Sequence, residues 1–145
     1  MWPLILMLAG NLAMLMACAY ALWRGDWPER CSAMMIALAW IGSYLLQDRS
    51  RNYDPQYWVA GLDVLLFVAF VVLTLRWRRL WLIVASATQL LTAATHMAFV
   101  IDSRIAALGF MTAYYLWSYA TLAALVWGSW QAARARAPAR NTAET

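Results

Sequence analysis

Apolar residues in this chain come in long runs separated by short charged clusters. The runs extend from about Trp2 to Trp23, Ser32 to Gln47, Tyr57 to Leu75, Leu80 to Ile101, and Ile105 to Trp130. A helix rises ~1.5 Å per residue, so about 20 apolar residues cross a hydrocarbon core of ~30 Å. The pattern predicts an all-α, polytopic integral membrane bundle of about five transmembrane helices. The fifth run is longer than a bilayer needs, and tilt or emergence of its last turns absorbs the excess. Residues 1–131 read as a single transmembrane helical domain. Residues 132–145, basic, Ala-rich and interrupted by Pro138, read as a cytoplasmic tail whose first part can continue the fifth helix and whose remainder is disordered.

Composition agrees with the runs. Of 145 residues, 65% are hydrophobic and 12% charged, whereas a soluble domain is about one quarter charged. Tryptophan supports the span limits. Trp2, Trp23, Trp27, Trp58, Trp77, Trp81, Trp127 and Trp130 fall near span ends, and only Trp40 and Trp117 fall inside. Indole favours the membrane interface, where its ring is buried and its N–H is wet.

Charge sets the expected orientation. Every basic residue is an arginine. With the N-terminus outside, Arg24, Arg30, Arg76, Arg78, Arg79, Arg134, Arg136 and Arg140 lie inside, against Arg49, Arg51 and Arg104 outside. This positive-inside bias predicts N-out, C-in topology in a bacterial cytoplasmic membrane, N-terminus periplasmic. The net charge of +4 then reflects topology and anionic lipid contact, and no nucleic-acid partner is expected. The stretch Leu15-Met16-Ala17-Cys18 resembles a lipoprotein cleavage site. No basic residue precedes it, Met16 fits poorly, and cleavage would reverse the arginine bias, so Cys18 is not expected to be lipidated. Cys18 and Cys31 lack the spacing of a disulfide framework or zinc site.

Lipid is as apolar as leucine, so close packing and interhelical hydrogen bonds must hold such a bundle together. Small residues at spacing four mark contacts: Ala9, Ala13, Ala17 and Ala21 in the first span, and Ala120, Ala124 and Gly128 in the fifth. The expected partners are the bilayer and either further copies of the chain or a larger membrane complex.

Ionisable groups inside a span are costly and seldom idle. Asp63 and His96 lie ~8–9 Å below the outer ends of the third and fourth spans, so a pair across neighbouring helices is expected. Thr88, Gln89, Thr92, Thr95 and His96 share one helix face, with Asp102 and Arg104 in the turn above. The candidate ligand, ion or proton site comprises Asp63, His96, Gln89, Thr92, Asp102, Tyr115 and Asn11. Tyr114, Ser118, Tyr119, Tyr44 and Gln47 are further lining candidates, and loop 48–56 is a candidate cover. A buried Asp–His pair can equally serve to fix helix register.

No catalytic set is legible. The chain has no G-x-S-x-G, H-E-x-x-H, Walker or dinucleotide pattern, and its carboxylates are too scattered for a zinc set. No cofactor is predicted; the single histidine could supply one axial haem ligand but not a bis-His pair within one chain. The favoured reading is a small inner-membrane transport, pore or ligand-binding subunit using Asp63 and His96. The alternatives are an accessory or assembly subunit of a larger membrane complex, an intramembrane enzyme, and a membrane-disrupting toxin or lysis protein.

Overall fold

The computed structural model of the chain describes residues 2–46, 57–101 and 107–141, with side-chain surroundings over 8–46, 57–101 and 109–136. Among the described residues the regular elements are five α-helices: α1 (Trp2–Arg24), α2 (Trp27–Leu46), α3 (Tyr57–Trp77), α4 (Leu80–Ile101) and α5 (Ala107–Asn141). Each packs on the next, α5 returns to close on α1, and α2 also touches α5 across the bundle. One core draws on all five, with Ala21, Ala33, Phe70, Trp81, Leu82 and Leu125 among its best-buried members. Of the five runs expected to span a membrane, α3 and α4 are, among the described residues, the two whose helices are long and apolar enough to cross one.

The turns explain where the helices stop. The N–H of Gly25 bonds the carbonyl of Ala21 at 2.8 Å, closing α1. A side chain at Gly25 would sit 2.4 Å from that carbonyl oxygen and 2.5 Å from the Cβ of Glu29, so only glycine fits. Asp26 then caps α2. Its N–H donates to Glu29 Oε2 at 2.9 Å, the reciprocal half of a capping box. This cap begins α2 at Trp27, ahead of the Ser32 expected from hydropathy, because Glu29 and Arg30 belong to the first helical turn. Between α3 and α4, Arg78 takes a left-handed conformation with φ 49°. Its N–H bonds the carbonyl of Thr74 at 2.8 Å, which ends α3 at the cost of about 1 kcal/mol for a non-glycine residue.

Three further expectations change. α5 runs for 35 residues to Asn141, past Pro138, so the helix takes in more of the tail than its first part. The Gln-Ala-Ala-Arg-Ala-Arg-Ala segment is made of strong helix formers, and Arg136 bonds back to the carbonyl of Arg24. Residues 142–145 lie outside the described residues. Trp81 is not an interfacial anchor: it is 0% exposed, and its N–H is satisfied by a carboxylate instead of water. The alanine stripe of α1 is only half a contact. Ala17 and Ala21 are buried, Ala13 is half-buried and Ala9 is exposed, because a spacing of four drifts around a helix of 3.6 residues per turn. Gly128 does mark a close contact, but with a side chain: a Cβ there would lie 2.5 Å from the Trp81 ring.

Candidate functional site

The buried face of α3 runs through Val59, Ala60, Asp63, Leu66, Phe70 and Leu73. Asp63 therefore occupies a core position by helical register. The buried face of α4 runs through Trp81, Ala85, Gln89, Thr92, His96 and Phe99. The two helices are antiparallel neighbours, so residues near the end of one meet residues near the start of the other. His96 Nδ1 lies 2.5 Å from Asp63 Oδ2. Gln89 Nε2 donates to Asp63 Oδ1 at 3.2 Å and approaches the Asp63 backbone carbonyl at 3.5 Å. One amide thus fixes both the carboxylate and its backbone, and the other carboxylate oxygen is left to the imidazole. At this separation the carboxylate and the imidazole share a hydrogen bond whose donor depends on the tautomer.

Aromatic rings hold the imidazole in place. Its centroid lies 5.2 Å from that of Phe110 and 5.0 Å from that of Tyr114, and Phe99 stacks on Phe110 at 4.6 Å. Beside the dyad is a cavity of about 20 Å³ lined by residues including Trp40, Ser43, Asp63, Gln89, Tyr114 and Ser118. That is room for about one water molecule. Hydroxyls near it are mostly committed: Ser118 donates to the Tyr114 carbonyl at 2.8 Å, Thr92 to the Thr88 carbonyl at 3.1 Å, and the Thr88 and Thr121 hydroxyls meet at 2.8 Å. The arrangement can hold or release a proton and can seat a water against a carboxylate. A porphyrin would require the helices to part. Among the described residues no group of three His, Cys, Asp or Glu side chains could hold a metal ion.

Four of the sequence candidates, Asp63, His96, Gln89 and Thr92, come together at this point. Tyr115 is half-buried and edge-on to Tyr114 at 5.9 Å, beyond the cavity wall. Asn11 is exposed, on a helix that packs on α2 and α5 and not on α3 or α4; it does not join the site. Asp102, Arg104, Gln47 and loop 48–56 lie outside the described residues. Tyr44 is exposed. Trp40, Ser43 and Thr121 line the cavity although hydropathy marked them only as span interior.

A second polar cluster closes the opposite end of the bundle. Glu29 is 0% exposed. Its Oε1 accepts from Arg79 Nη1 at 2.9 Å and from Trp81 Nε1 at 2.9 Å. Arg79 Nη2 also reaches Asp26 at 3.1 Å, and Arg136 Nε lies 3.6 Å from the other Asp26 oxygen. The cluster ties the α1–α2 turn to the α3–α4 turn and to α5. Sequence reading treated these arginines as topology signals alone; the legible hint was the Asp-x-x-Glu capping pattern at Asp26 and Glu29. Compared with family models, with curated proteins and with solved structures, the chain matches none.

Proposed function

We propose that the chain is a five-span integral membrane protein, N-out and C-in, in which the Asp63–His96 dyad binds and releases a proton within a transport or small-ion-binding subunit. The observation that carries this reading is the 2.5 Å Asp63–His96 contact beside a cavity of about 20 Å³. Ionisable groups in a membrane interior mark ion or proton paths more often than idle positions. A cavity of this size favours a proton or water over an organic substrate.

The membrane reading draws support from the exterior of all five helices. Leu12 and Leu15 on α1, Leu38 and Leu45 on α2, Leu65 and Val72 on α3, Ile83 and Leu90 on α4, and Leu116 and Val126 on α5 are all exposed. So continuous an apolar surface suits lipid and would aggregate in water. The arginine asymmetry supports the orientation, with the dyad in the outer half. A continuous proton path from there to the inner face calls for self-association.

The test is proton flux into liposomes carrying the full chain and an entrapped pH-sensitive dye, driven by an imposed potential. The wild type should conduct, and Asp63→Asn should not while keeping its helical content. Flux unchanged in the variant, or absent from the wild type, would sink the reading. The committed hydroxyls and small cavity favour a second reading, an accessory subunit in which the dyad fixes helix register. That reading expects Asp63→Asn to lower stability with no flux in either protein.

A further inference from the structure

The seam between α2 and α3 carries an open apolar groove of about 250 Å³, whose walls include Met35, Leu38, Leu62, Leu65 and Ala69. Counting inward from Trp77 at ~1.5 Å per residue, Ala69 lies ~12 Å and Leu62 ~22 Å from the arginine-bearing end. Those levels straddle the middle of a ~30 Å hydrocarbon core, the depth of the far half of an acyl chain. Leu62, Leu65 and Ala69 follow helical spacing, and Arg76 comes two turns after Ala69 on the same face of α3. Arg76 is exposed. Its recorded contact is with the Trp77 ring, 5.6 Å from guanidinium carbon to centroid, and no carboxylate pairs with it among the described residues. Trp27, 76% exposed, stands at the same end of α2. At this end Arg79 and Arg136 are engaged by Asp26 and Glu29, whereas Arg24, Arg30, Arg76, Arg78 and Arg134 face no carboxylate among the described residues.

We propose that the α2–α3 groove binds one acyl chain of an anionic phospholipid, with the headgroup phosphate held by Arg76 at the rim. The proposal rests on the membrane reading above, though not on the proton chemistry of the dyad. An apolar groove with an unpaired guanidinium about two turns beyond its near end on the same face of α3, and an exposed indole at that end of α2, matches an anionic lipid in both halves. A partner helix would fill the groove but leave the arginine without an anion. One arginine near a headgroup strengthens lipid attachment about fivefold.

The experiment is native mass spectrometry of the full chain in mild detergent, titrated with phosphatidylglycerol and with phosphatidylcholine of identical acyl chains. The wild type should retain phosphatidylglycerol about fivefold better. Arg76→Gln should lower that preference about fivefold and keep weak retention of both lipids. Ala69→Phe, and the milder Ala69→Leu, should reduce retention of both by filling the groove. Burial of Cys18, read by maleimide labelling, verifies that each variant is folded. Equal retention of the two lipids by the wild type, or a preference undiminished in Arg76→Gln, overturns the proposal. A change from dimer to monomer in Ala69→Leu does so as well, by assigning the groove to a second copy. Lack of proton flux in liposomes removes only the dyad reading, whereas recovery of the chain in the aqueous fraction removes both.

Discussion

Replacing Glu29 by Ala removes the acceptor for three donors at once. Trp81 Nε1 sits 2.9 Å from Glu29 Oε1, and the indole is 0% exposed, so water cannot take the vacated place. The Asp26 N–H loses its 2.9 Å acceptor, and α2 loses half of its capping box. Arg79 keeps Asp26 at 3.1 Å and its side chain is 35% exposed, so solvent replaces much of its lost ion pair. An orphaned buried donor costs about 1–3 kcal/mol. The cap adds about 1 kcal/mol, and the screened arginine contact under about 1 kcal/mol. The three effects share one side chain and do not add fully, which leaves about 3 kcal/mol. Glu29→Gln keeps an oxygen for Trp81 and Arg79 but turns its amide nitrogen toward the Asp26 N–H, a donor against a donor, and should cost about half as much. Arg136→Ala is the control. Its partner is 3.6 Å away and both side chains are substantially exposed, so the loss should stay under about 0.5 kcal/mol. Equilibrium unfolding in detergent, followed by maleimide labelling of Cys18, measures all three. That thiol is buried and points at the Ala33 carbonyl at 3.5 Å, so it reacts when α1 and α2 separate. A Glu29→Ala variant within about 0.5 kcal/mol of Arg136→Ala, the range of exposed ion pairs, would refute the reasoning.

The same labelling assay applies to two glycines. Gly128→Ala would place a methyl 2.5 Å from the buried Trp81 ring, and forced overpacking of that kind should cost about 1–3 kcal/mol. Gly61→Ala meets nothing within 4 Å and should be neutral or stabilising by up to about 1 kcal/mol. Equal effects at the two sites would show that α4 and α5 do not pack through Gly128. Gln89→Leu should free Asp63 Oδ1 from its 3.2 Å donor and lower stability by about 1–3 kcal/mol, whereas Asn11→Leu, on an exposed face, should change it by less than about 0.5 kcal/mol. The reverse order would put the polar centre of the bundle on α1.

Much of the helical layout was legible in one dimension. Runs of apolar residues placed α3 and α4 to within two residues at each end, because the Arg76–Arg79 cluster interrupts the apolar run where the chain turns; charges do not bound α2 or α5, whose helices take in Glu29 and Arg30, and Arg134 and Arg136. The Asp63–His96 pairing was legible too. Two ionisable groups at matching distances from a short turn, on consecutive helices, have little choice but to be neighbours. Hydropathy could not see that Glu29 belongs inside. A charged residue beside Arg30 reads as loop, and only the approach of Arg79 and Trp81 from a distant turn makes its burial affordable.

By itself, then, the chain's sequence determines where helices can run and which carboxylate and imidazole share a level, since both follow from chain-local spacing. Tertiary structure alone decides which small residues are contacts, which tryptophan is core and which arginines are bound. Those outcomes depend on what stands opposite each side chain, and side chains far apart in sequence supply it: Gly128 against Trp81, Arg79 against Glu29, and Arg136 against Asp26.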